Sequence, residues 1–139
     1  MANFSTSISK RHQDFIEKQQ LFFVSTAPIN GRINLSPKGM DSFRVVNENR
    51  VLWLNVTGSG NETAAHLLEN NRITIMFCSF EGAPNILRIY GKGTEIKPTD
   101  KSWNEVVSFF PKTPGTRQIF DIEIESVQTS CGMSIPFYE

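Results

Sequence analysis

The stretch with the clearest capacity for chemistry is NVTGSGNETAAHLLENNR, residues 55–72, where an apolar strand ends in Thr-Gly-Ser-Gly-Asn and passes directly into a helix. The first turn of a helix leaves backbone N–H groups unpaired and carries positive dipole, so it can hold a phosphate. Gly58 and Gly60 would let an anion approach closely. Four further side chains could hydrogen-bond to it: Thr57, Ser59, Asn61 and Thr63.

The same residues also fit a purely structural interpretation. Ser59 and Glu62 have the Ser-x-x-Glu spacing of a capping box, in which each side chain bonds to the backbone N–H of the other residue. The helix that follows needs no ligand to explain its start. Because the pattern is neither a Walker loop nor a dinucleotide fingerprint, cap and anion cradle remain alternatives on these residues alone.

A second unusual stretch is INLSPKGMD, which begins at Ile33 and carries polar residues along a predicted strand. By the period of two, Asn34, Ser36 and Lys38 share one face. They form either the solvent-facing side of an edge strand, which Pro37 favours, or a polar floor for a ligand.

Arg88 and Cys131 are weaker candidates for chemistry. In LRIYGKG, Arg88 shares a face with Tyr90 and is expected to pair either with a carboxylate or with an anionic ligand. Cys131 lies in a turn-rich tail, and nothing in the sequence brings an activating neighbour to it. Two histidines and two cysteines without ligand spacing give no metal site.

Composition restricts the class of protein. The 139 residues fit one domain, 1–139, and 14 Lys and Arg balance 14 Asp and Glu. With no net positive charge and no basic run, we expect no nucleic-acid partner. No apolar stretch approaches the length of a membrane span, and the N-terminal residues lack the apolar middle of a signal peptide. We therefore expect a soluble cytoplasmic protein with reduced cysteines and no membrane association.

Hydrophobic periodicity predicts a mainly β fold with peripheral helices. A hairpin signal at Asn30-Gly31 and short turns between the strands favour an antiparallel barrel of six or more strands. Gly91 and Gly93 indicate a bend or bulge in their strand. The predicted helices cover residues 8–19, 62–70 and 100–110, the last ended by Pro111. The predicted strands cover residues 21–28, the segment after the hairpin turn, both sides of the turn at 47–49, and residues 72–80, 85–97 and 117–129.

The order of these segments resembles the pyridoxamine 5′-phosphate oxidase-like family of FMN-binding split β-barrels. The resemblance rests on FFVSTAPINGRINLSPKG, RVLWLNVTG, SGNETAAHLLENNRITIMF and RIYGKG, in that order. It covers roughly residues 21–95, and the tail SCGMSIPFYE is also typical of small stand-alone members. The resemblance implies a homodimer with FMN in a groove between the subunits and the turn SGNET at the flavin phosphate.

This chain departs from the true oxidases of that family at the phosphate site. Those enzymes have a Ser-Arg-Lys type triplet in the turn and an arginine in the preceding strand, whereas this chain has Glu62-Thr63-Ala64 and Ser36. Each lost charge-assisted bond is worth roughly 1.5–3 kcal/mol, so Lys38, Arg88 or a residue of a second subunit would have to compensate. The tail SCGMSIPFYE does not resemble the long basic C-terminal segment of those oxidases either, so we do not expect pyridoxamine phosphate oxidation.

The leading hypothesis is therefore an FMN-dependent oxidoreductase acting on a small substrate, with no catalytic residue assigned. One alternative keeps the fold but binds a deazaflavin or heme, as split-barrel relatives do. The other is a non-catalytic, cofactor-free dimeric binding module, which the Glu62-Thr63-Ala64 departure favours. The residues expected at the cofactor are Ser36, Lys38, Asn55, Thr57, Ser59, Asn61, Thr63 and Arg88.

Overall fold

The computed structural model describes residues 2–56 and 60–138, and within them the chain forms eight strands and three helices. The helices are α1 (Lys10–Glu17), α2 (Asn61–Asn70) and α3 (Trp103–Val107). The strands are β1 (Asn3–Ser5), β2 (Phe22–Thr26), β3 (Asn34–Lys38), β4 (Phe43–Asn47), β5 (Arg50–Val56), β6 (Arg72–Cys78), β7 (Asn85–Ile96) and β8 (Thr116–Cys131).

All strand pairings in the described residues are antiparallel, and they form one curled sheet in the order β3-β2-β6-β7-β8-β5-β4, with β1 beside the second half of β8. Edge strand β4 approaches β2 and β6, near the other end of the sheet, through side chains. The ring of Phe43 on β4 lies 5.2 Å from that of Phe22 on β2 and 5.0 Å from that of Phe77 on β6, centroid to centroid. The split-barrel expectation, mainly β with peripheral helices, is confirmed.

Two apolar clusters hold the sheet in this shape. The larger fills the barrel and includes a stacked pair, Trp53 and Phe120, whose ring centroids lie 4.7 Å apart. The smaller lies on the other side of β5 and β8, where α3 covers Leu52, Leu54 and Ile119. Because both of its faces are covered, β5 is buried from Val51 to Asn55 without the alternation of a half-exposed strand.

Helix α1 begins with a capping box built from an unusual pair. The Ser9 hydroxyl accepts a hydrogen bond from the backbone N–H of His12, and Nδ1 of His12 accepts one from the backbone N–H of Ser9, each at 3.1 Å. Burial lowers the pKa of His12 below its usual value. Since an Nδ1 that accepts a hydrogen bond carries no proton, this cap requires the neutral imidazole.

Three local features refine the sequence predictions. The β2–β3 hairpin is confirmed, but its connection spans residues 27–33 rather than a tight turn at Asn30-Gly31. The bend at Gly91 is confirmed as a register shift against β8, where an added Cβ would collide with the Glu123 carbonyl. Helix α3 ends at Val107, earlier than the predicted stop at Pro111, and i→i+3 turns bonded to Val106 and Val107 follow it.

Candidate functional site

The site begins where β5 passes into α2. Thr57 and Ser59, two of the predicted ligand residues, lie outside the described residues, as does Gly58. The N-cap of α2 is Gly60, with φ of 133° and no side-chain cap, so Glu62 takes the second helical position rather than the third that a capping box with Ser59 requires. Asn61 and Glu62 are exposed in the first turn, whose backbone N–H groups have no intrahelical acceptors.

Gly60 packs directly on the side chain of Asn55. A Cβ added to Gly60 would collide with the carboxamide of Asn55, so the start of α2 is held against the end of β5. Both the missing Cβ and the positive φ make glycine necessary at this position. The sequence suggested that Gly60 would let an anion approach the backbone closely. Within the described residues, the group that lies this close to Gly60 is the Asn55 amide.

Asn55 also lines a cavity of about 200 Å³ together with Lys38. The ammonium of Lys38 lies over the indole of Trp53, 5.4 Å from the ring centroid, which is cation–π geometry. Burial lowers the pKa of Lys38 below its usual value, so the surroundings penalise its charge. An anionic or electron-rich group entering the cavity would relieve that penalty. The full lining is Pro37, Lys38, Gly39, Met40, Ser42, Trp53, Leu54, Asn55, Val56 and Thr113.

The polar face of β3 connects this cavity to α2. Asn34, Ser36 and Lys38 are half-buried, whereas Leu35 between them is 66% exposed. The side-chain amide of Asn34 donates to the Ser36 hydroxyl at 3.3 Å and to that of Thr63 at 3.4 Å. Thr63 itself is fully buried, so its hydroxyl anchors β3 to α2. The prediction that these three residues share one face is confirmed. β3 is also an edge strand of the sheet, but its polar face is half-buried rather than solvent-facing.

A buried hydrogen-bonded chain, which the sequence analysis missed, supports Asn55 from behind. Nδ2 of Asn55 donates to Oε1 of Gln118 at 3.2 Å, and Nε2 of Gln118 donates to Glu95 at 2.9 Å. The second oxygen of Glu95 lies 3.5 Å from the Lys97 ammonium. One signal was available: period two places Gln118 on the same face as Phe120 and Ile122, where a polar residue needs a partner.

Arg88 lies elsewhere. Its neighbours Leu87 and Ile89 point into the barrel core, so Arg88 faces outward, and the cavity lining does not include it. Its guanidinium is 3.5 Å from the Ser130 hydroxyl, and no carboxylate pairs with it in the described part of the chain. The structure therefore joins Lys38, Asn55, Ser36 and the start of α2, but not Arg88.

The remaining histidine and cysteine candidates lie apart from the cavity in the part of the chain that the structure describes. His66 is buried and shares a hydrogen bond of 3.0 Å with Thr26, and Cys131 is exposed at the end of β8. Across residues 2–56 and 60–138 no three side chains of His, Cys, Asp or Glu are grouped to hold a metal ion. Within the same residues, no helix is both long and apolar enough to cross a membrane.

With this geometry established, comparison with known proteins identifies the family. The family model described as pyridoxamine 5′-phosphate oxidase matches residues 8–131. The chain therefore belongs to the pyridoxamine 5′-phosphate oxidase family, as the segment order suggested. One relative, the pyridoxamine 5′-phosphate oxidase family protein ustO of Aspergillus flavus, is 40% identical over 144 aligned residues. The alignment covers all of this chain, which spans 58% of the length of ustO.

Solved structures show the same fold at low sequence identity. An FAD-binding protein from Mycobacterium smegmatis is 15% identical with a TM-score of 0.63, covering 91% of this chain and 97% of its own. The heme storage protein HutZ from Vibrio cholerae is 16% identical with a TM-score of 0.61, covering 88% and 95%. Proteins of this fold that resemble the chain thus include one flavin binder and one heme protein.

Proposed function

We propose that this protein is an FMN-binding homodimer that carries out flavin-dependent oxidation or reduction of a small molecule. The observation that carries the proposal is the arrangement around one cavity: Lys38, whose ammonium lies over Trp53, and Asn55 line it, and the first turn of α2 begins against the Asn55 amide. A cation, a fixed amide and helix N–H groups are suited to a flat, anionic, hydrogen-bonding ligand.

The size of the cavity argues for a second subunit. Ligand pockets usually measure about 300–1,000 Å³, and this one encloses about 200 Å³. Large apolar side chains are exposed in this part of the protein: Met40, which lines the cavity, at 83%, and Leu35, on the outward face of β3, at 66%. A second copy of the chain covering this side would both bury that surface and enlarge the cavity into a groove.

We assign each predicted residue a part in this proposal, from its position where the structure describes it and from the sequence for Thr57 and Ser59. Asn61 and the first N–H groups of α2, with Thr57 and Ser59 before them, would hold the phosphate. Lys38, Ser36 and Asn55 would lie along the ring system. Thr63 would contribute by anchoring Asn34. Arg88 faces outward, so a role in binding requires the groove formed with the second subunit.

When bound, FMN would supply the redox chemistry, and the residues of this chain would bind, orient and shield it. The described cavity lining contains neither His nor acidic side chains, so we assign no general acid or base to it. Pyridoxamine phosphate oxidation is not proposed, because the basic residues that the true oxidases use are absent from Glu62-Thr63-Ala64.

Different observations bear on the two alternatives, which are the same fold with a deazaflavin or heme and a cofactor-free binding module. A deazaflavin would use the same cavity and would be separated from FMN by competition. Heme is usually held by His, Cys, Met or Tyr, and the lining contains only Met40 of these, while His66 is engaged with Thr26. The heme proposal therefore needs a ligand from a second subunit. A cofactor-free binding module predicts no affinity for any of the three.

The direct test is fluorescence titration of the protein with FMN and with riboflavin, which lacks the phosphate. We expect tighter binding of FMN than of riboflavin. Lys38→Met should weaken FMN binding about 10-fold or more, since a charge-assisted contact is worth roughly 1.5–3 kcal/mol. Lys112→Met, at an exposed position, is the matched control and should bind normally. Failure of the unmodified protein to bind FMN would contradict the proposal.

A further inference from the structure

We infer that Glu95, acting through Gln118, fixes the side-chain amide of Asn55 so that it presents its carbonyl oxygen to the ligand. Glu95 and Gln118 are then positioning residues, and the site selects a ligand that offers an N–H or O–H donor to Asn55. This inference rests on the proposed function in one respect only, namely that the cavity beside Asn55 binds a ligand.

The orientation of the Asn55 and Gln118 amides follows from the chemistry of Glu95, at the far end of the hydrogen-bonded series. An ionised carboxylate has no proton to donate, so Glu95 can only accept, and Gln118 must turn its NH₂ group toward it. The Gln118 oxygen then points the other way, toward Asn55. Because that oxygen also only accepts, Asn55 must supply the donor, which is Nδ2 at 3.2 Å. The orientation of each amide group is thereby set by whether its neighbour can donate or accept a hydrogen bond.

Once Nδ2 of Asn55 donates one N–H to Gln118, the Asn55 oxygen remains to accept from a ligand, and the second N–H of Nδ2 remains beside it. Among the described residues, the hydrogen bond to Gln118 is the one that the Asn55 side chain makes. In those same residues every fully buried side-chain nitrogen or oxygen has a partner. The oxygen of Asn55 is therefore not sealed in the interior, and Asn55 is one of the residues that line the cavity.

Burial and strand register keep the hydrogen bonds among Asn55, Gln118 and Glu95 from rearranging. Asn55 and Gln118 are directly opposite each other on β5 and β8, and each is only 3% exposed. The stacked Trp53 and Phe120 rings are the next opposed pair on the same face of these strands. A flipped Gln118 would place NH₂ against NH₂ and oxygen against carboxylate, an arrangement that buried polar groups avoid.

The consequence is selectivity for hydrogen-bond polarity. A ligand with an imide N–H or a hydroxyl group directed at the Asn55 oxygen gains a hydrogen bond, whereas a ligand that directs an acceptor at the same atom meets oxygen against oxygen. An oxidised flavin carries both kinds of donor, in its ring imide and its ribityl hydroxyls. Discrimination therefore depends on Glu95, although Glu95 does not line the cavity.

The first test needs no ligand. In the isotope-labelled protein, NMR couplings transmitted through hydrogen bonds should join the Asn55 side-chain nitrogen to the Gln118 side-chain carbonyl carbon, and not the reverse pair. Glu95→Gln can donate as well as accept, so it should weaken this coupling and give a mixture of both amide orientations. Glu123→Gln, an exposed change on β8, is the control and should leave the coupling unchanged. A reversed coupling in the unmodified protein would overturn the inference.

The second test uses FMN as the probe. Glu95→Gln should weaken FMN binding about 10-fold while leaving the urea unfolding midpoint close to that of the unmodified protein, and Glu123→Gln should change neither. Unchanged FMN affinity in Glu95→Gln would overturn the inference. If the unmodified protein binds no FMN, the proposed function fails, and the NMR coupling alone decides whether Glu95 sets the amide orientation.

Discussion

Replacing Gly60 by Ala tests the contact on which the site is built. The added Cβ would have to occupy the place of the Asn55 carboxamide, and the backbone at φ of 133° is one that side chains rarely adopt. Gly82→Ala is a matched control, because Gly82 also has a positive φ, of 74°, but nothing lies within 4 Å of its added Cβ.

The expected magnitudes separate the two substitutions. Gly82→Ala should cost about 1–2 kcal/mol of unfolding free energy, which is the penalty for a left-handed residue with a Cβ. Gly60→Ala carries backbone strain of about 1–3 kcal/mol and an overpacking term of about 1–3 kcal/mol. The sum is about 2–6 kcal/mol, out of the roughly 5–15 kcal/mol that a domain has in total.

Urea unfolding followed by tryptophan fluorescence gives both free energies. Asn55→Ala removes the group that the new Cβ meets, so in that background Gly60→Ala should fall toward the cost of Gly82→Ala, with a coupling of about 1–3 kcal/mol. If Gly60→Ala costs no more than Gly82→Ala, or if Asn55→Ala leaves the cost of Gly60→Ala unchanged, the contact between Gly60 and Asn55 does not constrain the fold. The double variant also provides a reading if Gly60→Ala alone does not fold.

Three further predictions concern the fold around the site. Because folding lowers the pKa of His12, the stability that neutral His12 contributes is complete above the unfolded pKa of 6.5 and is lost as the pH falls through the folded pKa. Thermal melts between pH 7.5 and 5 should show this loss of stability. His12→Gln, which keeps a hydrogen-bond acceptor for the helix cap, should abolish the pH dependence. Arg50→Leu breaks a two-pronged ion pair with Asp121, both contacts 2.9 Å, and should cost about 1–2 kcal/mol in urea unfolding, reduced by high salt if the pair is responsible. Phe120→Ala removes a fully buried ring and should cost about 3–5 kcal/mol with a change in Trp53 emission, and a loss below 1 kcal/mol would contradict the packing described.

The sequence shows which residues of β3 share a face, but not whether that face points into the protein or into solvent. Period two joins Asn34, Ser36 and Lys38, yet alternation alone leaves open whether the polar or the apolar set faces inward. Here the polar set turns inward and Leu35 outward, against ordinary partition by polarity. The neighbouring α2, which offers Thr63 to Asn34, contributes to making that choice favourable, as does Trp53 beneath Lys38. The contact of Thr63 with Asn34 joins residues 29 positions apart, so no local pattern shows it.

The support of Asn55 lay beyond sequence reasoning for a similar reason. Gln118 and Glu95 reach Asn55 through the registers of β5 with β8 and of β8 with β7. Strand register depends on the whole sheet, so the pairing is visible only after folding. By contrast, the order of the segments was enough for the family and for the barrel, because each strand and turn has its own local signal.

The most direct test of the central claim is native mass spectrometry of the gently purified protein, followed by denaturation to release and weigh any bound small molecule. The account predicts a dimer carrying two molecules of FMN. A cofactor-free protein that also takes up no added FMN would contradict it, and would mean that Lys38, Asn55 and the start of α2 do not replace the basic residues absent from Glu62-Thr63-Ala64.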